Sequence, residues 1–148
     1  MSVTVSHVGL CVSNLDRAMR FYCDGLGFEA GVRFEVGSEF GATLEVEGDV
    51  KVTSQFVARD GLSIELLHFE SGSVHGSPSA SRGHLGFTHL SLLVDDVDAV
   101  AARLVEHGGT VVEPTRTRID NPDGSANDFV FVADPDGTRV ELMKLGGS

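Results

Sequence analysis

The sequence predicts an α+β fold built from two tandem βαβββ modules. Three observations predict it. The stretch VSHVGLCVSNLDRAMRFYCDGLGF (5–28) is echoed 82 residues later by FTHLSLLVDDVDAVAARLVEHGGT (87–110). The stretch RDGLSIELL (59–67) is echoed 76 residues later by PDGTRVELM (135–143). Within each copy an alternating apolar run gives way to helical spacing and then returns to alternation, the pattern of strand, helix and strands. The fall in offset from 82 to 76 puts six extra residues in the middle of the first copy.

Taken in order, residues 3–12 alternate apolar and polar side chains and predict a strand. Ser13 and Asp16 resemble a capping box at a helix start. Leu15, Ala18, Met19, Tyr22 and Leu26 follow the i, i+3, i+4, i+7 spacing of an amphipathic helix, which Gly25 or Gly27 can end. Strands are expected near 29–37, 42–47, 52–58 and 62–69. In the second copy FTHLSLLVDD (87–96) reads as a strand. Asp95 and Asp98 repeat the cap, Val97, Val100, Ala101 and Leu104 repeat the apolar stripe, and Gly108 and Gly109 end it. Strands follow near 110–117, 128–133 and 138–145, with Asp-Pro-Asp-Gly (134–137) as a turn. The stretch ESGSVHGSPSASRGHLG (70–86) is rich in Gly and Ser and reads as a linker. The expected organisation is one domain over 1–148: a module at 1–70, a linker at 71–85 and a module at 86–148.

Composition narrows the function. A chain of 148 residues can bury a core without staples. The net charge of −11 leaves no basic stripe to neutralise phosphates, which excludes nucleic acid and an anionic membrane surface as partners. Cys11 and Cys23 are the only cysteines and form no C-x-x-C, so reduced thiols are expected. No apolar run is long enough for a membrane span and no signal segment is evident, so a cytoplasmic location is expected.

The echo carries the chemistry. Strand side chains alternate faces, so Val3, Val5, His7, Gly9 and Cys11 share one face of the first strand. Phe87, His89, Ser91 and Leu93 share the equivalent face in the second copy. Each copy's last strand sets a carboxylate among apolar neighbours: Glu65 in the first, Glu141 in the second. Burying an unpaired carboxylate is costly, and doing so twice at equivalent positions calls for a cation. Two imidazoles and two carboxylates, from His7, Glu65, His89 and Glu141, suit a divalent first-row metal.

These residues, the paired βαβββ pattern and the ending FVADPDGTRVELMKL (131–145) resemble the vicinal oxygen chelate superfamily. That superfamily includes glyoxalase I, methylmalonyl-CoA epimerase, extradiol dioxygenases, and fosfomycin- and bleomycin-resistance proteins. The resemblance covers nearly the whole chain. It implies a curved, cup-like mixed sheet with helices outside. It also implies one divalent ion per site (Ni, Co, Zn, Mn or Fe), held by His7, Glu65, His89 and Glu141, and a homodimer acting on a small-molecule substrate. The dioxygenases use only two His and one Glu, so an intact Glu65 favours the glyoxalase/epimerase branch. The implied activity is that of an isomerase or lyase: a proton next to a carbonyl is abstracted and a metal-stabilised enediolate forms. Glu141 is the first choice of general base and Glu65 the second. The alternatives are an Fe(II) extradiol-type dioxygenase and a non-catalytic small-molecule binding or resistance protein. Cys11 and Phe69 stand where bacterial glyoxalase I carries the Arg and Asn associated with glutathione. Arg33, Arg82, Arg116 and Arg118 are candidates for holding an anionic substrate.

Overall fold

A computed structural model describes residues 1–70 and 74–147. Two compact units emerge, Met1–Gly76 and Ser77–Ser148. Residues 71–73 of the expected linker lie outside the described residues.

The first unit runs β1 (Val8–Cys11), α1 (Leu15–Met19), β2 (Glu29–Val36), α2 (Gly41–Leu44), β3 (Val52–Arg59) and β4 (Leu62–Phe69). Its sheet has the order β1-β4-β3-β2, with β1 parallel to β4 and the other pairs antiparallel. The second unit runs β5 (Leu90–Leu93), α3 (Val97–Glu106), β6 (Thr110–Asp120), β7 (Ala126–Ala133) and β8 (Arg139–Lys144). Its order, β5-β8-β7-β6, repeats the first. Each unit is thus a βαβββ module with a four-stranded mixed sheet.

The alternation of the last strands decides what each sheet buries. Ile64 and Leu66 in β4, and Val140 and Leu142 in β8, are buried, while Glu65 and Glu141 between them are only partly covered. Each fully buried Leu contributes about 2 kcal/mol of apolar transfer. Leu15, Ala18, Phe21 and Tyr22 cover the buried face in the first unit, and Val97, Ala101 and Leu104 in the second.

The helix starts lie one residue from the expected caps. Asn14 is extended, and its Oδ1 accepts from Arg17 N at 2.9 Å. Asp96 does the same for Ala99 N at 2.9 Å. Ser13 and Asp95 precede the cap, because the capping residue is the one whose extended backbone swings its side-chain oxygen onto the first turn. Beyond α1 the chain widens into π-helical turns at Arg20–Gly25, whereas α3 stays regular. The wider turns bring two successive aromatics inward. Phe21 and Tyr22 are both buried and meet edge to face, with ring centroids 5.1 Å apart.

Two expected strands are corrected. The ladder of the first strand covers only Val8–Cys11, and Val3 and Val5 are about nine-tenths exposed. The stretch near 42–47 is not a strand: Ser38–Phe40 and Gly41–Leu44 are short helical turns. Val46 N closes back on Gly41 O at 3.0 Å, and a Cβ at Gly41 would lie 3.2 Å from that Val46 carbonyl. Leu44 and Val46 pack on Val36, Val50 and Val52 instead of joining a ladder. Their alternating apolarity serves a small cluster, which periodicity cannot distinguish from a strand. Among the described residues no helix is long and apolar enough to cross a membrane.

Candidate functional site

Each module places one histidine just before its first strand and one glutamate on its last. In the first unit Gly9 of β1 pairs with Glu65 of β4. His7, two residues earlier on the same face, therefore leans over the Glu65 carboxylate, with Nε2 3.1 Å from Oε2. In the second unit Ser91 pairs with Glu141, and His89 Nε2 stands 3.5 Å from Glu141 Oε2. All four side chains keep some exposure, the histidines near one third. Among the described residues no group of three or more His, Cys, Asp or Glu side chains is gathered to hold a metal ion. What the structure brings together is two His–Glu pairs, one in each unit.

The surroundings of the two pairs match in kind. Ser6 Oγ lies 2.9 Å from His7 Nδ1, and Thr88 Oγ1 lies 2.8 Å from His89 Nδ1. A hydroxyl can donate or accept, so either imidazole tautomer is satisfied on that side. In both units Nε2 is the nitrogen turned to the carboxylate. Each imidazole also meets a phenylalanine edge-on: Phe56 at 5.0 Å from His7, and Phe131 at 5.1 Å from His89. Phe56 pairs across the strands with Glu65, and Phe131 with Glu141.

The carboxylates differ. Ser54 Oγ donates to Glu65 Oε1 at 2.6 Å, while Oε2 faces His7, so both oxygens are engaged. Ser91 Oγ donates to Glu141 Oε2 at 2.7 Å, the same oxygen that faces His89. Among the described residues Glu141 Oε1 accepts no hydrogen bond. Two positions explain the difference: Gly9 stands where the second unit has Ser91 and offers no hydroxyl, and Ser54 stands where the second unit has Phe129. The hydroxyls and phenylalanines escaped the sequence reading. Ser6 and Thr88 were visible as a shared hydroxyl residue before each histidine. The phenylalanines were not, because Phe56 precedes Glu65 by nine residues and Phe131 precedes Glu141 by ten.

Among the candidate cations, Arg82 lies beside the His89 pair, its guanidinium carbon 5.8 Å from the Phe131 ring centroid. Arg116 and Arg118 are elsewhere. Arg116 pairs with Asp98 at 2.7 Å, and Arg118 with Asp128 at 3.3 Å. With Lys144 they line a cleft of about 370 Å³ beside the start of α3. Asp128 and Lys144 point to the face of their sheet opposite Glu141, by strand alternation. Arg33 lies exposed on β2.

The donor set fits a divalent ion in kind: imidazole nitrogens with their far side held by a hydroxyl, and carboxylates beside them. Comparisons with known proteins identify the family. The sequence matches the glyoxalase/bleomycin resistance protein/dioxygenase superfamily over residues 4–142. It is 33% identical over 141 residues to the uncharacterized protein YaeR of Escherichia coli, covering 95% of each chain. It is 31% identical over 140 residues to a probable lactoylglutathione lyase of Synechocystis, covering 93% of this chain and 92% of that one. In fold it is similar to a glyoxalase family protein of Bacillus cereus, with a TM-score of 0.79, 20% identity, and 97% and 95% of the two chains covered.

Proposed function

The chain belongs to the glyoxalase/bleomycin resistance protein/dioxygenase superfamily, and from that membership we propose that it is a divalent-metal-dependent enzyme of the glyoxalase/epimerase type, moving a proton next to a carbonyl of a small molecule. The observation that carries the reading is the repetition of one His–Glu pair, with its hydroxyl and its phenylalanine, in both modules. His7, Glu65, His89 and Glu141 are the proposed ligands. A divalent ion held by them supplies Lewis-acid polarisation of the carbonyl, which makes the adjacent carbon acid enough to lose a proton.

The residues divide the remaining work. His7 and His89 present Nε2 and are oriented from behind by Ser6 and Thr88. Glu65, with Ser54 on one oxygen and His7 on the other, is the fixed carboxylate. Glu141 has Oε1 uncommitted and is the general base, taking the proton at that atom. Phe56 and Phe131 give the imidazoles apolar walls. The engagement of Glu65 with His7 favours a four-ligand set over the two-His, one-Glu set of a dioxygenase. The name of the Synechocystis relative, a probable lactoylglutathione lyase, points to the same reaction class.

Metal content tests the reading. Purified protein exposed to Ni, Co, Zn, Mn and Fe is expected to retain one divalent ion per set of four ligands, and to lose it in both His89→Ala and Glu65→Ala. Turnover in deuterium oxide is expected to place solvent deuterium next to the product carbonyl. A chain that retains no ion is not this enzyme, and iron that survives Glu65→Ala points to the dioxygenase.

A further inference from the structure

We propose that Arg82 is a positioning residue for His89, an assignment that rests on the reading of His89 as a ligand. The guanidinium grips both things that hold the imidazole. Arg82 Nη1 donates to the Thr88 carbonyl and Nη2 to the Ser79 carbonyl. The first bond fixes the backbone immediately before His89, and with it the Thr88 hydroxyl that lies 2.8 Å from His89 Nδ1. The same guanidinium lies over the Phe131 ring, 5.8 Å from its centroid. That ring is the one His89 meets edge-on, at 5.1 Å and 64°. Backbone, hydroxyl and aromatic wall are therefore tied to a single planar cation.

The chemistry suits Arg and not Lys. A guanidinium carries several N–H donors in one rigid plane, so it can span two carbonyls while its face lies on a ring. A lysine ammonium is a point charge on a flexible stem. The two carbonyl bonds take one N–H from each Nη and fix the plane of the guanidinium against its own backbone, which makes Arg82 a clamp. The first module has no such device: among the described residues no cation stacks on Phe56, although His7 has the same ring and hydroxyl contacts. His89 is thus the braced histidine of the two. Partners that orient a ligating histidine typically change metal affinity by 10–100-fold when removed.

The test uses the full chain with ¹⁵N-labelled histidine, in wild type, Arg82→Ala and Arg82→Lys. Ni(II) affinity is measured by calorimetry, and the imidazole nitrogens are followed in metal-free protein. Arg82→Ala is expected to weaken Ni(II) binding about tenfold and to shift or broaden the His89 ring signals. The His7 signals should stay in place and show that the chain is folded. Free guanidinium should restore both readouts in Arg82→Ala, and Arg82→Lys should fall short of wild type in both. Unchanged Ni(II) affinity and unchanged His89 signals in Arg82→Ala would overturn the assignment, as would full function in Arg82→Lys. Should Arg82→Ala fail to fold, Arg82→Lys decides by the same two readouts. Wild-type protein that binds none of Ni, Co, Zn, Mn and Fe sinks the metal reading instead, and the His89 signals then still decide whether Arg82 orients that ring.

Discussion

Glu141 and Glu65 look interchangeable in the sequence and are not so in the structure. Glu65 has a partner on each oxygen, whereas Glu141 takes Ser91 and His89 on one oxygen and leaves Oε1 open. Glu141→Gln, which keeps the shape but cannot accept a proton as a carboxylate does, is expected to cut kcat by 10²–10⁴-fold, the usual worth of a general base. Glu65→Gln should instead show its larger effect in metal affinity. Steady-state kinetics beside Ni(II) titration separates the two, and equal kcat losses would contradict the division of roles. Thr88→Ala is expected to weaken Ni(II) binding about tenfold by freeing Nδ1 of His89. The places of His7, Glu65, His89 and Glu141 were legible because the repeat matches them, each histidine just before a first strand and each glutamate on a last strand. The bonds that distinguish the two carboxylates were not, since they depend on cross-strand neighbours, Ser54 for Glu65 and Ser91 for Glu141.

The helices and strands show what pattern can and cannot fix. The apolar stripe of Val97, Val100, Ala101 and Leu104 identified α3, and of these Val97, Ala101 and Leu104 are buried while Val100 is half-buried. The same reasoning missed Phe21, which falls outside the i, i+3, i+4, i+7 stripe and is buried where the chain widens into π-helical turns. It also took the alternation of 42–47 for a strand. Capping gives a direct test at this scale. Asp96→Ala removes the bond to Ala99 N and is expected to cost about 1 kcal/mol of stability, read by urea denaturation, with Ni(II) affinity unchanged. The end of β4 offers another. Lys51 and Thr53 bond to Glu70 and hold its carboxyl below the usual range. A depressed folded pKa stabilises the chain above the ordinary glutamate range, and that contribution is lost as pH falls through the lowered value. Lys51→Met should therefore be less stable than wild type at pH 7, by a small amount since the pair is exposed. The difference should close as pH falls through the lowered value, and a gap that is constant with pH would rule out this pair as its source.

On the scale of the whole chain, duplication is the main fact. Both modules use the same strand order and the same parallel pairing of first and last strands. The duplication was readable from offsets of 82 and 76 alone, because an echo survives where individual propensities fail; the strand order and the parallel pairing were not. The net charge of −11 sets the expected partners. Duplex DNA should show no binding at physiological salt in a mobility-shift titration. The resemblance to related enzymes adds an expected homodimer, which sedimentation equilibrium would read as a doubled mass.

The hydroxyls behind the two histidines have one more consequence. A backbone carbonyl at Nδ1 would lock each ring in one tautomer, whereas Ser6 and Thr88 serve both. With Nε2–H toward the carboxylate, the hydroxyl donates to Nδ1. With Nε2 free to give its lone pair, the hydroxyl accepts from Nδ1–H. The first state closes each His–Glu pair with a hydrogen bond, whereas in the second Nε2 and the carboxylate face each other as two acceptors, and only a proton or a cation fits between them. The hydroxyls therefore let each imidazole pass between a closed and an open pair without losing its partner at Nδ1.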